Sequence, residues 1–152
     1  MMNKLEGQWS IIPRLLIPLF VIVLYAFDLR IYTSAIIAKF TGATIEGHVL
    51  VVSDSSALRV EWEASGLIGI AILAFLFMVT GDLLEFCLSS LIYYILNLGL
   101  LLVAVYYPWA YLAFWFYSAF SIVIAYVLAY YLLARMRYKW NVEKPMPPPP
   151  SE

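Results

Sequence analysis

The sequence predicts an all-α polytopic membrane protein with about four transmembrane helices and a small extracytoplasmic β-hairpin between helices 1 and 2. Three observations lead there. Of 152 residues, 64% are hydrophobic and 12% charged, whereas soluble domains average about half apolar and a quarter charged. The apolar residues fall in long blocks rather than in a helix-period stripe, so lipid and neighbouring helices, not a water-surrounded core, must cover them. At Val60 to Thr80 (VEWEASGLIGIAILAFLFMVT) a charged, alternating segment passes without a linker into an uncharged apolar run. With its Ala64-Ser65 approach, that run supplies the roughly 20 residues a spanning helix needs.

Taken in order, residues 1–140 form one transmembrane domain. After the polar leader MMNKLEGQWS, the first helix covers about residues 11–29. Pro13 falls where the first turn has unpaired N–H groups anyway, and Pro18 bends the helix. A cleaved secretory signal is the competing reading, but no small-residue cleavage pattern follows and Asp28-Leu29-Arg30 stands in its place. Residues 30–63 are the extracytoplasmic segment. Within it, Ile31 to Phe40 reads as a short interfacial helix capped by Gly42. The β-branched stretches Thr44 to Val52 and Ala57 to Trp62, joined by SDSS, read as the two strands of the hairpin. Leu58, Val60 and Trp62 then share one face, and Arg59, Glu61 and Glu63 the other.

The remaining helices are placed at about 64–80, 83–106 and 110–134. A short loop at Gly81 makes the second and third antiparallel neighbours, and Tyr107-Pro108-Trp109 turns the chain at a surface. Tyrosines and tryptophans such as Tyr106, Tyr107, Trp109, Tyr138 and Trp140 suit interfacial belts, while Trp115 is expected deeper. Residues 141–152, with EKPMPPPPSE, are read as a disordered proline-rich cytoplasmic tail. Lys4 and Arg14 near the start and Arg135, Arg137, Lys139 and Lys144 near the end place both termini in the cytoplasm and the whole chain in the cell membrane, crossing it several times. The predicted inner loop carries Asp82 and Glu85 without a basic residue, but acidic residues weigh little in that rule.

The chemistry-bearing residues are sparse. The net charge of −1 excludes a nucleic-acid surface. With one histidine and one cysteine no metal site is expected, and no cofactor. Cys87 reads as a buried small apolar side chain. Asp28 and Arg30, at the outer end of the first helix, read as interfacial snorkelling or as ion-paired with groups of the hairpin. Ser65 is a candidate nucleophile by position, but it needs a base, and the only histidine, His48, lies in the hairpin. Gly66, Gly69 and Ala71 to Ala74 offer a small-residue surface for close helix approach, and Asn97 is an interhelical hydrogen-bond donor or acceptor. Gly66, Gly69, Asn97 and Trp62 are therefore the candidate helix-packing and partner-binding residues.

The order AKFTGATIEGHVLVV, LRVEWEASGLIGIAILAFLF, NLGLLLVAVYYP and FWFYSAFS, covering about Ala38 to Ser121, resembles the exosortase and archaeosortase family of membrane transpeptidases. The resemblance implies an outward hairpin leading to a reactive cysteine at the head of a membrane helix, with an arginine and a histidine on the next two helices. In this chain Ala64 stands at the cysteine position, followed by the matching Ser65 and Gly66. Leu100 follows Asn97 where arginine is wanted, and Tyr117 and Ser118 occupy the histidine neighbourhood. Without nucleophile, base and arginine the mechanism is lost. The expectation is a non-catalytic relative acting as an accessory or structural subunit of a larger membrane protein complex, with membrane lipids and other membrane subunits as partners. The alternative is a transpeptidase or peptidase of surface-protein sorting that uses Ser65 or a partner's residues.

Overall fold

The protein is described here by a computed structural model covering residues 11–53, 56–62, 64–80, 82–107 and 113–142. The chain is mostly helical and carries a small sheet: α1 (Ile11–Ala26), α2 (Leu29–Thr41), β1 (Thr44–Glu46), β2 (Val49–Ser53), β3 (Ser56–Arg59), α3 (Leu67–Thr80), α4 (Leu83–Tyr106) and α5 (Phe114–Val142). By length and composition α4 and α5 can each cross a membrane. α1 and α2 pass the same test only as a pair bent by 65°, and α3 is a shorter apolar helix.

Several boundaries differ from the sequence expectation, each for a local reason. α1 stops at Ala26, not near 29, because Asp28 takes a left-handed conformation (φ 49°) that no α-helix continues through. α3 begins at Leu67, because Gly66 sits at φ 89° and ends the turn before it. Its 14 residues rise about 21 Å, short of the ~30 Å hydrocarbon core. The last helix begins at Phe114 and runs to Val142, past the expected end at 134. Ala134, Arg135, Met136, Arg137 and Lys139 have good helix propensity, and no Gly or Pro intervenes before Val142. The expectations for the leader, the Pro108-Trp109 turn and the proline-rich tail fall outside the described residues.

The expected two-stranded hairpin is a three-stranded antiparallel sheet in the order β1-β2-β3. The long first strand is divided by Gly47-His48, a two-residue loop closed by the Glu46–Val49 pair. Gly47 has φ 65°, the positive value that such loops need at their first position. β2 and β3 pair through Leu50–Leu58 and Val49–Arg59. The expected face alternation appears in part: Val60 is fully buried while Arg59 is exposed. The helix expected at 31–40 is α2, and Gly42 closes it with φ 74°, its N–H donating to the Ala38 carbonyl at 2.8 Å.

α3 lies at the centre, packed against α1, α4 and α5. α4 turns one stripe inward, Phe86, Ser90, Tyr93, Asn97, Leu101 and Ala104, at the three-and-four spacing of a helix with one covered face. α5 answers with a narrow strip at every fourth position, Ser121, Ala125, Ala129 and Leu133, the first three of them small residues that let two helices approach closely. One core cluster joins α1, α3, α4 and α5 around Ile17, Leu73, Phe77, Phe86 and Tyr93. A second lies under the sheet and α2, joining Ile37, Leu50, Val60 and Ala64 to Leu101, Val105 and Phe114. The sheet thus sits at the C-terminal end of α4. At the other end Arg137 of α5 reaches Asp82 at 2.8 Å. Leu84, Leu91, Ile95 and Val103 of α4 and Phe116, Phe120, Val123, Val127 and Tyr131 of α5 are exposed. Water-soluble monomers rarely leave apolar patches larger than a few hundred Å² uncovered, so this surface is compatible with a membrane protein.

Candidate functional site

The candidate site is the junction between sheet and α3. Glu61 and Trp62 lead into a tight turn in which the Ser65 N–H donates to the Glu61 carbonyl at 2.8 Å. The Ser65 hydroxyl donates to the Trp62 carbonyl at 2.7 Å and accepts from the Leu67 N–H at 3.4 Å. The Gly66 carbonyl accepts from the Ile70 N–H at 3.1 Å, the first bond of α3. Serine two residues before the helix satisfies one of the amide donors that a helix start leaves open. Gly66 is required twice over: its φ of 89° suits glycine, and a Cβ there would stand 3.2 Å from the Asn97 Nδ2.

Two helices close over this turn. From α4, the Asn97 Nδ2 donates to the Ala64 carbonyl at 2.7 Å. The opposite amide orientation would set two acceptor oxygens against each other, so the hydrogen bond itself assigns nitrogen and oxygen. From α2, the Thr33 hydroxyl donates to the Ser65 carbonyl at 3.2 Å and meets the Tyr94 hydroxyl at 3.0 Å. Thr33 has a single hydroxyl hydrogen, already directed at Ser65, so Tyr94 is the donor of that second bond. Ala64, Ser65, Thr33 and Asn97 are each fully buried. The Asn97 Oδ1 is buried with no hydrogen-bond partner.

Ser65 and His48 are not brought together by these bonds. Ser65 directs its hydroxyl hydrogen at a backbone carbonyl, and the His48 Nε2 accepts from the Arg59 Nε at 3.1 Å on the outer side of the sheet. Arg59 also lies 2.9 Å from Glu61. Among the described residues no titratable side chain bonds to the Ser65 hydroxyl, whose hydrogen is directed at the Trp62 carbonyl. Leu100 is partly buried against the second core cluster. Ser118 meets the Tyr93 hydroxyl at 2.9 Å, and Tyr117 is exposed.

Gly69 receives α4 of the same chain. A Cβ at Gly69 would overlap the Tyr93 ring, so the absent side chain is what admits that ring. Trp62 forms the outer rim of the site. Its ring stacks on Tyr25 at 4.8 Å, and the Arg30 Cζ lies 4.0 Å above it. Arg30 is held by two bonds to Asp28, Nε to Oδ1 at 2.8 Å and Nη2 to Oδ2 at 2.9 Å. Those hydrogen bonds keep the Asp28 carboxyl below its ordinary pKa against the opposing effect of burial. Asp28 and Arg30 therefore pair with each other, and the arginine rests on Trp62.

Cys87 is exposed, contrary to the sequence expectation. It lies one position beyond the buried stripe, where Phe86 is the inward residue. Sequence reasoning missed Thr33, Tyr93 and Tyr94, which link α2 to α4 and α4 to α5, and the Ser121-Ala125-Ala129 strip. The strip had a readable signal in its four-residue spacing. The tyrosines had none, because twelve tyrosines in one chain hide the two that matter. Among the described residues no group of three or more His, Cys, Asp or Glu side chains gathers to hold a metal ion. The chain matches no family profile, no curated protein and no solved structure.

Proposed function

We propose that this chain is an integral membrane protein that crosses the bilayer four times, through α1, α3, α4 and α5, with both termini cytoplasmic and the sheet outside. We propose further that it is a non-catalytic relative of the exosortase and archaeosortase transpeptidases, serving as an accessory or structural subunit of a larger membrane complex. The observation that carries the reading is the composition of the junction. Where the resemblance puts the nucleophile, Ala64 is fully buried, and the groups bonded to Ala64 and Ser65 are amide, hydroxyl and carbonyl, none of which titrates near neutral pH. A site of this kind joins α2, α3 and α4 rigidly and offers a substrate neither a nucleophile nor a base.

The four-crossing arrangement is supported by the opposite placement of sheet and basic end. Arg137 and its neighbours Arg135 and Lys139 lie with Asp82 at the end of the bundle away from the sheet, the distribution expected of a cytoplasmic face. α3 is short for a full crossing, and its turn at Ala64–Gly66 is buried by other helices rather than lipid, the condition under which irregular backbone is tolerated at membrane depth. Blue-native electrophoresis of membranes carrying tagged wild-type and Ser65→Ala chains tests the role. The expected result is one assembly larger than the 17.3 kDa chain, identical for both, with surface-protein processing unchanged. Loss of processing with assembly intact in Ser65→Ala would assign the chain to catalysis instead.

A further inference from the structure

α1 and α4 both pack on α3 but touch each other only lightly, and the space between them is a groove of about 290 Å³. Its floor is Ile70, its α1 side is Phe20, Leu24 and the following Leu29, and its α4 side includes Leu91 and Tyr94. A second apolar cavity of about 360 Å³ continues it past Phe20 and Cys87 towards Leu83. Its α4 wall also carries Ser90 and Cys87, and a charged pair stands just beyond Leu29. One residue beyond Leu29 stands Arg30, with Asp28 beside it and Trp62 beneath it.

We propose that this groove seats one acyl chain of a zwitterionic phospholipid from the outer leaflet, held as a resident lipid with its phosphate at Arg30 and its ammonium towards Asp28. The proposal rests on the transmembrane placement of α1 and α4, and it is independent of whether the chain is catalytic. Length supports it: along α1 the two cavities run from Leu16 to Leu24, eight residues or about 12 Å at helical rise, within the depth of one leaflet, half of the ~30 Å hydrocarbon core. Width excludes a partner helix from lying inside the groove. A cylinder about 10 Å across and 12 Å long displaces on the order of 900 Å³. The polar end has matching charges. Asp28 engages two of the five guanidinium N–H donors of Arg30 and leaves three to bind phosphate. Because Arg30 and Asp28 sum to zero charge, a head that carries both signs matches them better than an anionic one.

The test uses the full chain in phosphatidylcholine vesicles in which one acyl chain bears a mid-chain diazirine. After photolysis, peptide mass spectrometry is expected to find adducts on Leu24 and Leu91 about tenfold above those on Phe120 and Val127 of the exposed α5 face. Leu91→Trp, an exposed position where a larger ring fills the groove, is expected to lower the Leu24 adducts to the α5 level and leave the α5 adducts unchanged. In the wild-type chain, diacylglycerol carrying the same diazirine chain and no phosphate is expected to lose the preference for the groove. Equal labelling of the two faces would overturn the seat. Equal groove labelling by phosphatidylcholine and diacylglycerol would overturn the role of Arg30, and undiminished Leu24 adducts in a folded Leu91→Trp chain would overturn the location.

Discussion

Single atoms at Gly69, Asn97 and Asp82 decide how closely the helices approach. Gly69→Ala puts a methyl into the Tyr93 ring, whose hydroxyl is tied to Ser118, so the ring cannot withdraw without breaking that bond. Overpacking of this kind costs about 1–3 kcal/mol, and thermal unfolding in detergent is expected to show a lowered midpoint. Gly99→Ala is the control: nothing lies within 4 Å of its Cβ, and a helical alanine there is expected to be neutral or stabilising by up to ~1 kcal/mol. Asn97→Leu removes the bond to the Ala64 carbonyl and leaves that carbonyl buried, a loss of about 1–2 kcal/mol in the same measurement. Asp82 has a pH signature. Burial works against its charge, but the Glu85 N–H at 3.0 Å and the Arg137 guanidinium outweigh it and lower its pKa below the ordinary 3.8. A lowered carboxylate pKa gives stability that is fully present above 3.8 and is lost as pH falls through the folded-state value. The stability that Asp82→Asn removes is therefore expected to shrink as pH falls below about 4, which melting curves taken down through that range would show.

Elements were legible where their signals are local and hidden where tertiary contact decides. Gly42 followed a helical run and closes α2 as a left-handed cap, and its substitution by alanine is expected to cost about 1 kcal/mol, read as fraying of α2 by hydrogen exchange. α4 carried an apolar pattern long enough to place both its ends within the bounds expected from the sequence, 83 and 106. Its start has a capping signal, Asp82 three residues before Glu85, that reads directly as structure. The division of the first strand at Gly47-His48 was missed, because the β-branched run continues on both sides and only the positive φ of one glycine separates β1 from β2. The early end of α1 was missed for the same kind of reason. An aspartate in a left-handed conformation is uncommon, and the bond pair to Arg30 that accompanies it is not visible in a hydropathy profile. At the candidate site, Gly66, Gly69 and Asn97 were singled out by residue type, while Thr33 and Tyr94 come from segments whose meeting depends on the bend between α1 and α2.

For the whole molecule, we propose one charged, sheet-bearing end outside and one basic end inside, with a neutral hydrogen-bonded turn where the resemblance puts the nucleophile. The proposed topology is argued from the opposite placement of Arg137 and the sheet. Single cysteines at the exposed positions Ala57 and Tyr138, in a Cys87→Ser background, are expected to react with a membrane-impermeant maleimide from opposite sides of sealed vesicles. Reaction of both from one side would refute four crossings. The inertness of the turn is the central claim, because the subunit role depends on it. Treatment of the purified wild-type chain with a fluorophosphonate, a reagent that modifies only activated serines, addresses it most directly when followed by intact-mass measurement. No mass increase is expected at any pH from 6 to 9; a stoichiometric adduct mapped to Ser65 would contradict an inert turn.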